Sequence, residues 1–500
     1  MLFPNLSPLR YADRTMADSD ILDLLIIGGG INGAGLARDA AGRGLSVALL
    51  EANDLGGATS SASSKLIHGG LRYLEFYEFG LVRKALAERE VILRNAPHIS
   101  RPMPFLLPQE PHLRPGWMIR AGLFLYDHLA RRREVPGSSS VELRNDAAGP
   151  AFDRHLKRAF RYWDGWVDDS RLVILNARDA ANRGAGIFPR DAAVAARRTD
   201  FGWEVTTASG RRHATRQLVN CAGPWAGRVA NDLMGLPDAP MLSLVQGSHI
   251  VTRKVNRTAD AWMLQQPDGR IIFVIPWEGE YSLIGTTETP VDSPDGPRIT
   301  ADEEAYLLGA VNRSLAKPLA ESDIIYRFSG IRPLVLEDGK SARETTRDWK
   351  LLPHADAAAM TVIGGKITTY RLLAEAVLKH LFPQTKRWTH DAPLPGGDVP
   401  RQGGTARADF DLWLARLKMR HNLYDPAIVT RMAHLWGTDT DTMLEAGLGE
   451  NLGGLFEAEL AQLRDREWAT TAEDALWRRT KMGLRMDVAA QARVRAFFGK

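Results

Sequence analysis

Three glycines near the start of the chain have the spacing of a dinucleotide-binding turn. Gly28, Gly30 and Gly33 follow the apolar run Leu24 to Ile27, and a helical pattern begins near Asn32. Gly28 would allow a tight turn off a strand, Gly30 would leave room for a pyrophosphate, and Gly33 would let the helix pack close to the strand. The unpaired N–H groups at the start of that helix would face the phosphates.

An acid completes this unit. Glu51 ends a second apolar run, Val47 to Leu50. A carboxylate about 20 residues beyond the glycines accepts hydrogen bonds from an adenosine ribose and disfavours a ribose phosphate, so NADP is not expected. A glycine-rich turn in an ordinary α/β core is the alternative, but the flanking strands, the helix and the acid favour a dinucleotide site.

A second stretch could line the same cofactor. Residues 58 to 73, ATSSASSKLIHGGLRY, combine small, hydroxyl and basic side chains. Small residues permit close approach, hydroxyls can meet phosphate or ring edges, and basic groups can hold an anion. The alternative is a Ser/Gly-rich surface loop.

The chain has one glycine fingerprint of this kind. An enzyme that reduces a bound flavin with NAD(P)H commonly carries a second one. If the cofactor is FAD, its electrons should therefore come directly from an organic substrate. The run CAGPW, 221 to 225, is typical of a strand end that returns to the cofactor. Its cysteine is expected to be inert.

Motifs along most of the chain resemble those of the respiratory, FAD-dependent sn-glycerol-3-phosphate dehydrogenases. In order, they are GGGINGAGLARDAAGRGLSVALLE, TSSASSKLIHGGLRYLE, GSHIV, FVIPW, IGTTE, GIRPL, GGKITTYR and DALWRRTK, and they span about residues 20 to 490. The resemblance implies a D-amino-acid-oxidase-like fold and non-covalent FAD. It also implies oxidation of glycerol 3-phosphate to dihydroxyacetone phosphate by hydride transfer to flavin N5, with electrons passed to a membrane quinone.

The implied reaction needs cations for a phosphate, a base for a hydroxyl proton and a hydride acceptor. Arg72 and Arg332 are the expected phosphate ligands, because a guanidinium matches two phosphate oxygens at once. Most of the 64 basic residues are arginine, so structural ion pairing is the alternative for each. His249 is the expected base, since neutral imidazole is available near pH 7. A lone histidine among apolar residues is, however, more often part of a core.

Lys366 follows a glycine pair at a strand-to-helix turn. Its ammonium could stabilise reduced flavin or reach the substrate, and a solvated lysine at a helix start is the alternative. Thr286 and Thr287 end a β run and can bind substrate or simply pack. The expected substrate-binding residues are Arg72, Tyr73, Thr286, Arg332 and Lys366. The expected cofactor-binding residues are Gly28, Gly30, Asn32, Gly33, Glu51, Ala52, Thr59, Ser60, Ser64, Lys65, Leu66, His68, Ala222, Gly223, Trp225, Gly365, Lys366 and Thr368, and no metal site is expected.

Composition limits the classes of protein. A length of 500 residues predicts two or three domains, and a net charge of +4 argues against a nucleic-acid partner. The single Cys221 excludes an internal disulfide. No run approaches the ~20 apolar residues of a membrane span. The protein is therefore expected in the cytoplasm or at the cytoplasmic membrane face, and the family resemblance implies peripheral attachment to the cytoplasmic face of the inner membrane.

Local patterns predict the elements that position these residues. We expect a helix over Leu81 to Asn95, an irregular proline-rich loop over 101 to 116, and short β runs between 187 and 222. We also expect a hairpin around 278 to 280, a strand, glycine turn and helix over 360 to 381, and helices after 397 that include capping boxes at Thr470 and Thr471.

The expected fold combines α/β and α+β parts. A Rossmann-like FAD-binding domain is assigned to 20–96, 150–240 and 330–385, and a β-rich substrate cap to 97–149 and 241–329. A helical C-terminal domain is assigned to 386–500 and a disordered extension to 1–19.

Residues 118 to 130 place apolar side chains on one helical face, and Arg131, Arg132 and Arg133 follow. Such a helix can lie on an anionic membrane surface, or it can face the core with a solvated charge cluster. The expected partners are glycerol 3-phosphate, a membrane quinone and an anionic membrane surface, and a homodimer is a further candidate. A glycerol-3-phosphate oxidase and a flavin-containing nucleic-acid-binding protein are the competing functions.

Overall fold

The computed structural model describes residues 21–111, 113–236, 242–335 and 348–499. The expected extension, 1–19, lies outside these residues. The strands are β1 Leu22–Ile27, β2 Val47–Leu50, β3 Leu66–Ile67, β4 Ser100–Pro108, β5 Ser139–Glu142, β6 Arg158–Val167, β7 Gly186–Phe188, β8 Ala193–Thr199, β9 Gly202–Thr207, β10 Arg212–Asn220, β11 Leu242–Arg253, β12 Ala261–Gln265, β13 Ile271–Trp277, β14 Tyr281–Gly285, β15 Thr289–Val291, β16 Ile324–Val335, β17 Lys350–His354 and β18 Ala359–Ile363. The helices are α1 Ile31–Gly42, α2 Phe79–Asn95, α3 Gly116–His128, α4 Asp169–Asn182, α5 Ala226–Arg228, α6 Ala301–Asn312, α7 Tyr370–Leu381, α8 Ala406–Arg420, α9 Pro426–Trp436, α10 Asp439–Ala446, α11 Glu457–Glu467 and α12 Val488–Phe497.

The first sheet carries the predicted dinucleotide unit. Its strand order is β17-β18-β10-β1-β2-β7, and β1 pairs in parallel with both β10 and β2. In this register Ile27 is level with both Leu50 and Asn220. The carboxyl ends of the three strands therefore meet at one edge, where open parallel sheets bind their ligands.

Both faces of this sheet are buried, which explains the continuous apolar runs in the sequence. Leu24 and Ile26 face a core built with α1, α4 and α7. Leu25 and Ile27 face the opposite side, where the β8–β9 hairpin packs. The side chains alternate because successive residues of a strand point to opposite faces.

The second sheet is mainly antiparallel and forms the predicted β-rich cap. Its strand order is β15-β11-β14-β13-β12-β4-β6-β3, with β16 paired to β11 and β5 paired to β6. The hairpin predicted around 278 to 280 is confirmed as the β13–β14 turn. Long pairing of β11 with β16 sets His249 opposite Phe328 and Val245 opposite Arg332.

The prediction of an irregular loop over 101 to 116 was wrong. Residues 100–108 form β4, and α3 begins at Gly116. At Pro102 and Pro104, β4 pairs with β6 on one side. The pairing of β4 with β12 on its other side begins later, at Phe105. Where a strand has one neighbour, a missing N–H can face away from the ladder, so proline is tolerated.

The sheets divide the chain differently from the expected segments at three places, one of which is the end of β16, residues 330–335, in the second sheet although 330–385 was assigned to the FAD-binding domain. Strands β3 and β6 belong to the second sheet, although the expected FAD-binding segments 20–96 and 150–240 include them. Strand β6 leads directly into α4, which packs on the first sheet. The two sheets therefore share connections close to the predicted cofactor site.

The helices after residue 397 are confirmed as α8 to α12. They enclose a separate core that includes Phe410, Trp436, Leu460 and Leu463. One predicted capping box is present, because Asp474 N–H donates to Thr471 Oγ1 at 3.2 Å and Thr471 N–H donates to Asp474 Oδ2 at 3.0 Å. The predicted helices over 81–95 and at the end of 360–381 are also confirmed, as α2 and α7.

Candidate active site

The glycine turn has the geometry that its sequence predicts. Gly28 adopts φ +110°, and a Cβ there would lie 2.4 Å from the carbonyl oxygen of Cys221. A Cβ on Gly33 would lie 1.9 Å from the carbonyl oxygen of Gly28, so the start of α1 packs directly on the turn. Gly30 precedes α1 and leaves the first turn of the helix open on its outer side, where Ser60 Oγ accepts from the N–H of Ile31 at 3.0 Å.

Glu51 lies at the same edge of the sheet. Its Oε2 accepts from the N–H of Gly29 at 2.7 Å, and its Oε1 accepts from the N–H of Asn53 at 2.7 Å. Burial raises the pKa of Glu51, and these backbone hydrogen bonds partly offset that effect. The carboxylate is therefore held beside the glycine turn, in the position expected for a ribose contact.

A cavity of about 1110 Å³ opens at this edge and continues between the two sheets. It exceeds the ~300–1,000 Å³ typical of a pocket for one small ligand, which suits a dinucleotide together with a small substrate. The expected residues that line it are Gly28, Gly30, Asn32, Glu51, Ala52, Thr59, Ser60, Ser64, Lys65, Leu66, His68, Tyr73, Ala222, Gly223, Trp225, Thr286, Arg332, Gly365, Lys366 and Thr368. Gly33, Arg72 and His249 are not among the lining residues.

The cavity wall fits the expected FAD. Asn32 donates from its side-chain amide to the carbonyl oxygen of Gly364 at 3.1 Å, while its buried Oδ1 has no hydrogen-bond partner within the described chain. An orphaned acceptor beside the glycine turn can receive a cofactor hydroxyl or ring N–H. The start of α1 and the hydroxyls of residues 59 to 64 complete a surface suited to a pyrophosphate.

Lys65 differs from the expectation that basic groups of this stretch hold an anion. Its Nζ donates to Asp169 Oδ1 at 2.8 Å and to the carbonyl oxygen of Ser61 at 3.1 Å, and its side chain is buried. The ammonium is therefore engaged in an internal ion pair. Lys65 contributes to the cavity wall without offering a free cation.

The cavity wall also carries the polar side chains of Thr286, Arg332, Lys366 and Tyr73. Arg332 Nη2 donates to Thr286 Oγ1 at 3.2 Å, and Nη1 lies 3.8 Å from Glu288 Oε1. Lys366 Nζ lies 4.0 Å from the ring centroid of Tyr73. Strand β16 and the turn after β18 thus bring two cations to one cavity, from residues that are distant in sequence.

Arg72 does not join this group. It lies on the short helical turn Leu71–Phe76, one residue before Tyr73, and its guanidinium lies 5.9 Å from the ring of Phe76. Tyr73 lines the cavity, whereas Arg72 does not. Of the two arginines expected to bind phosphate, the structure brings Arg332 to the cavity.

His249 lies behind the cavity wall. It is fully buried, its ring stacks on Phe328 with centroids 4.9 Å apart, and its Nε2 lies 2.9 Å from Ser64 Oγ. Burial is the largest cause that lowers the pKa of His249 well below 6.5, and the charges of Arg332 and Lys65 add to it. The histidine therefore lies behind two lining residues, Phe328 and Ser64, and its polar contact with the wall is to Ser64.

His68 lies on the wall itself, although we expected it only as a cofactor contact. Its ring meets Phe273 edge to face with centroids 6.3 Å apart, and its backbone N–H donates to Thr368 Oγ1 at 3.3 Å. A histidine inside the stretch 58 to 73 was visible in the sequence. Nothing in the sequence showed that it, and not His249, would face the cavity.

Several other lining residues were not predicted, among them three that are distant from the glycine turn in sequence. Trp477, Arg478 and Lys481 come from the helical C-terminal domain, more than 300 residues from the glycine turn along the chain. The motif DALWRRTK that contains them was visible, but it carried no indication of which site it would approach.

Burial raises the pKa of the Cys221 thiol to about 12, which fits the inert cysteine expected from the sequence. No helix in the described part of the chain has the length and apolar character needed to cross a membrane.

Known proteins similar to this chain include FAD-binding oxidoreductases. The model of a family described as FAD dependent oxidoreductase matches residues 23–371. The chain is 46% identical to an aerobic glycerol-3-phosphate dehydrogenase of Escherichia coli (strain K12), covering 94% of this chain and 96% of that protein. It is also 46% identical to a D-erythritol 1-phosphate dehydrogenase of Brucella abortus (strain 2308), covering 95% and 97%. The structure is similar to that of the glycerol-3-phosphate dehydrogenase from Bacillus halodurans complexed with FAD, with a TM-score of 0.72, 27% identity and coverage of 92% of this chain and 86% of that one.

Proposed function

The chain belongs to the FAD-dependent oxidoreductase family, and we propose that it oxidises sn-glycerol 3-phosphate to dihydroxyacetone phosphate. The observation that carries the proposal is that Arg332, Thr286 and Lys366 all line the cofactor cavity, with Arg332 hydrogen-bonded to Thr286. A planar guanidinium beside a hydroxyl and an ammonium suits the phosphate monoester of a small polyol. Relatives named for glycerol 3-phosphate support this substrate.

Each residue of this wall has a role in the proposed reaction. Arg332 binds the phosphate, and its hydrogen bond to Thr286 fixes the plane of the guanidinium. Lys366 supplies a second positive charge to the cavity, with its ammonium above the ring of Tyr73. Bound FAD supplies the acceptor for the hydride that leaves C2 of the substrate. The protein residues hold C2 in place for that transfer, because orientation lowers the entropic part of the barrier.

The hydroxyl proton needs an acceptor within hydrogen-bond reach. His68 lines the cavity, whereas His249 does not line it and lies behind Ser64 and Phe328. We therefore assign proton transfer to His68 and assign His249 the positioning of Ser64, in place of the catalytic role expected for His249 from the sequence.

Anaerobic mixing tests the substrate. Addition of glycerol 3-phosphate should bleach the oxidised flavin absorbance, and glycerol without phosphate should not. D-erythritol 1-phosphate is the second candidate, because a relative named for it is as similar to this chain as the first. Comparing kcat/KM for the two phosphates decides between them, and no bleaching with either would contradict the proposal.

The electron acceptor is the second part of the proposal. We assign electrons to a membrane quinone, and a glycerol-3-phosphate oxidase that forms peroxide remains the competing function. Turnover should be slow in air alone and should rise when a soluble quinone analogue is added. Rapid stoichiometric peroxide formation without quinone would favour the oxidase.

Exposed apolar side chains support peripheral attachment to an anionic membrane. On α3, Trp117 is 71% exposed and Phe124 is 60% exposed, whereas Leu123 and Tyr126 are buried. The helix face predicted from the sequence therefore divides into a core side and an outer side. Tyr77, 80% exposed, extends the outer side, and Arg114 of the segment before α3 lies 3.5 Å from Glu75 beside it.

Basic residues flank this surface. Arg131 and Arg133 follow α3 and are exposed, so aromatic side chains and positive charge lie together, as in helices that bind an anionic interface. We expect binding to vesicles of phosphatidylglycerol and phosphatidylethanolamine that weakens in salt. The double variant Trp117→Asp, Phe124→Asp should abolish it. Leu423→Asp, at an exposed apolar site in the C-terminal domain, is the matched control. Equal vesicle binding by the double variant would exclude this surface.

A further inference from the structure

The C-terminal domain contributes its segment 474–484 to the wall of the cofactor cavity. Trp477, Arg478 and Lys481 lie on the wall, and in the described chain they are the lining residues that come from beyond residue 385. Trp477 stacks on Tyr326 of β16, with ring centroids 4.6 Å apart and an angle of 9° between the planes. Residues of this domain therefore meet both the first sheet's cofactor edge and the cap.

Ion pairs of Arg478, Arg479 and Lys481 hold this segment in place, and Arg478 donates from Nε to the same Asp54 carboxylate as Arg479. Arg479 donates from Nη1 to Asp54 Oδ2 at 2.7 Å and from Nη2 to Asp54 Oδ1 at 2.8 Å, and the guanidinium is fully buried. Lys481 Nζ donates to Asp168 Oδ2 at 2.6 Å and to Ser170 Oγ at 2.7 Å. Removal of Arg479 or Lys481 leaves a buried carboxylate with less compensation of its charge, so each pair is hard to break.

Both carboxylates belong to elements that shape the cofactor site. Asp168 accepts from the N–H of Arg171 at 3.0 Å and thereby caps the start of α4. Asp54 follows Glu51 in a loop that is folded against the glycine turn, since the N–H of Gly56 donates to the carbonyl oxygen of Gly29 at 3.0 Å. A group that docks on Asp54 therefore docks on the nucleotide-binding loop.

We propose that the C-terminal helical domain retains FAD: its segment 474–484 closes the cofactor cavity, and the Arg479–Asp54 and Lys481–Asp168 pairs couple its docking to FAD binding. The coupling is reciprocal, because a ligand that contacts a wall formed by two domains strengthens their docking by the same factor by which docking strengthens ligand binding. The proposal rests on FAD as the cofactor and is independent of which polyol phosphate the enzyme oxidises.

Titration of apoprotein with FAD, followed by quenching of flavin fluorescence, tests this directly. Arg479→Met and Lys481→Met should each weaken FAD binding at least tenfold. Arg479→Lys keeps the charge, so it should weaken binding less than Arg479→Met. The matched control is Arg431→Met, which breaks the Arg431–Glu459 pair inside the C-terminal domain, where neither residue lines the cavity. Its FAD affinity should stay within about twofold of the parent protein.

Hydrogen exchange distinguishes coupled docking and binding from a loss of FAD that merely follows general destabilisation. Helices α11 and α12 do not line the cavity, yet their amides should exchange faster in apoprotein than in FAD-loaded protein if docking and binding are coupled. If the methionine variants fail to fold, Trp477→Ala, which leaves both ion pairs intact, should still weaken FAD binding. Parental FAD affinity in the folded variants, an equal loss in Arg431→Met, or identical exchange of these helices with and without FAD would each overturn the proposal.

Discussion

Ser64 Oγ lies 2.9 Å from Nε2 of His249 and stands between that histidine and the cofactor cavity. The other ring nitrogen of His249, Nδ1, is buried without a hydrogen-bond partner among the described residues. A buried, neutral imidazole with one polar contact is well suited to fix a hydroxyl. It is less well placed than a lining residue to accept a substrate proton, because it does not line the cavity.

The two histidines should therefore differ in their effect on pH dependence. His68→Gln should lower kcat by about 100-fold or more and remove the acid limb of the kcat profile, because general base catalysis contributes about that much. His249→Phe should lower kcat by only about 2- to 10-fold, the worth of one hydrogen bond, and should leave the limb in place. His249→Gln, which keeps a polar group for Ser64, should be milder still. Loss of the acid limb in His249→Phe would return the base role to His249.

Arg332→Lys tests phosphate recognition. Lysine keeps the positive charge but loses the planar pair of donors and the hydrogen bond to Thr286, so about 1.5–3 kcal/mol of charge-assisted interaction should be lost. This corresponds to a fall of about 10- to 100-fold in kcat/KM for glycerol 3-phosphate, measured per flavin-loaded enzyme. A purely structural arginine would instead lower the melting temperature and leave these kinetics unchanged.

Gly30→Val tests the pyrophosphate contact. A Cβ on Gly30 would approach only Ser60 Oγ, at 3.0 Å, so the variant should fold but lack FAD because the side chain occupies the phosphate position. Gly33→Ala is the comparison, since its Cβ would lie 1.9 Å from a backbone oxygen and should disturb the fold itself. Normal flavin absorbance in purified Gly30→Val would refute this contact.

A single dinucleotide turn predicts which donors can reduce the flavin. NADH should not bleach it rapidly under anaerobic conditions, whereas glycerol 3-phosphate should. The measurement is stopped-flow absorbance of the flavin with each donor. Fast reduction by NADH would reveal a second nucleotide site.

His434 predicts acid sensitivity at the junction with the C-terminal domain. Its Nδ1 lies 2.8 Å from the carbonyl oxygen of His98, and burial lowers its pKa from 6.5 to about 4. Below pH 6.5 the unfolded chain binds a proton here that the folded protein does not, so stability falls as the pH drops from 6.5 towards 4 and then levels off. The full effect of this group is about 3 kcal/mol.

The variant His434→Gln removes this titration, so comparing it with the parent protein isolates the contribution of His434. The difference in unfolding free energy between the parent protein and the variant, measured by urea unfolding, should shrink as the pH falls from 7 to 5. Other acidic and histidine groups titrate equally in both proteins and cancel in this difference. A difference that is independent of pH would show that His434 does not titrate across this range.

The sequence determined the features that depend on neighbouring residues. The glycine turn and Glu51 were predictable because strand, turn and helix follow each other within 30 residues, and each glycine has a local steric reason. The hairpin at 278 to 280 and the C-terminal helices were predictable for the same reason. The assignment of 101 to 116 as a loop failed, because proline content does not reveal that β4 has a single neighbour at Pro102 and Pro104.

Only the tertiary structure decided which residues face the cavity. His249 and His68 carry the same chemistry, but the pairing of β11 with β16 buries the first, while the turn after β3 leaves the second on the wall. Arg72 and Tyr73 are adjacent in sequence, yet only Tyr73 lines the cavity. Arg479 and Lys481 meet Asp54 and Asp168 across more than 300 residues of chain. Contacts of this kind arise when separate cores dock, and residue spacing along the chain carries no information about that docking.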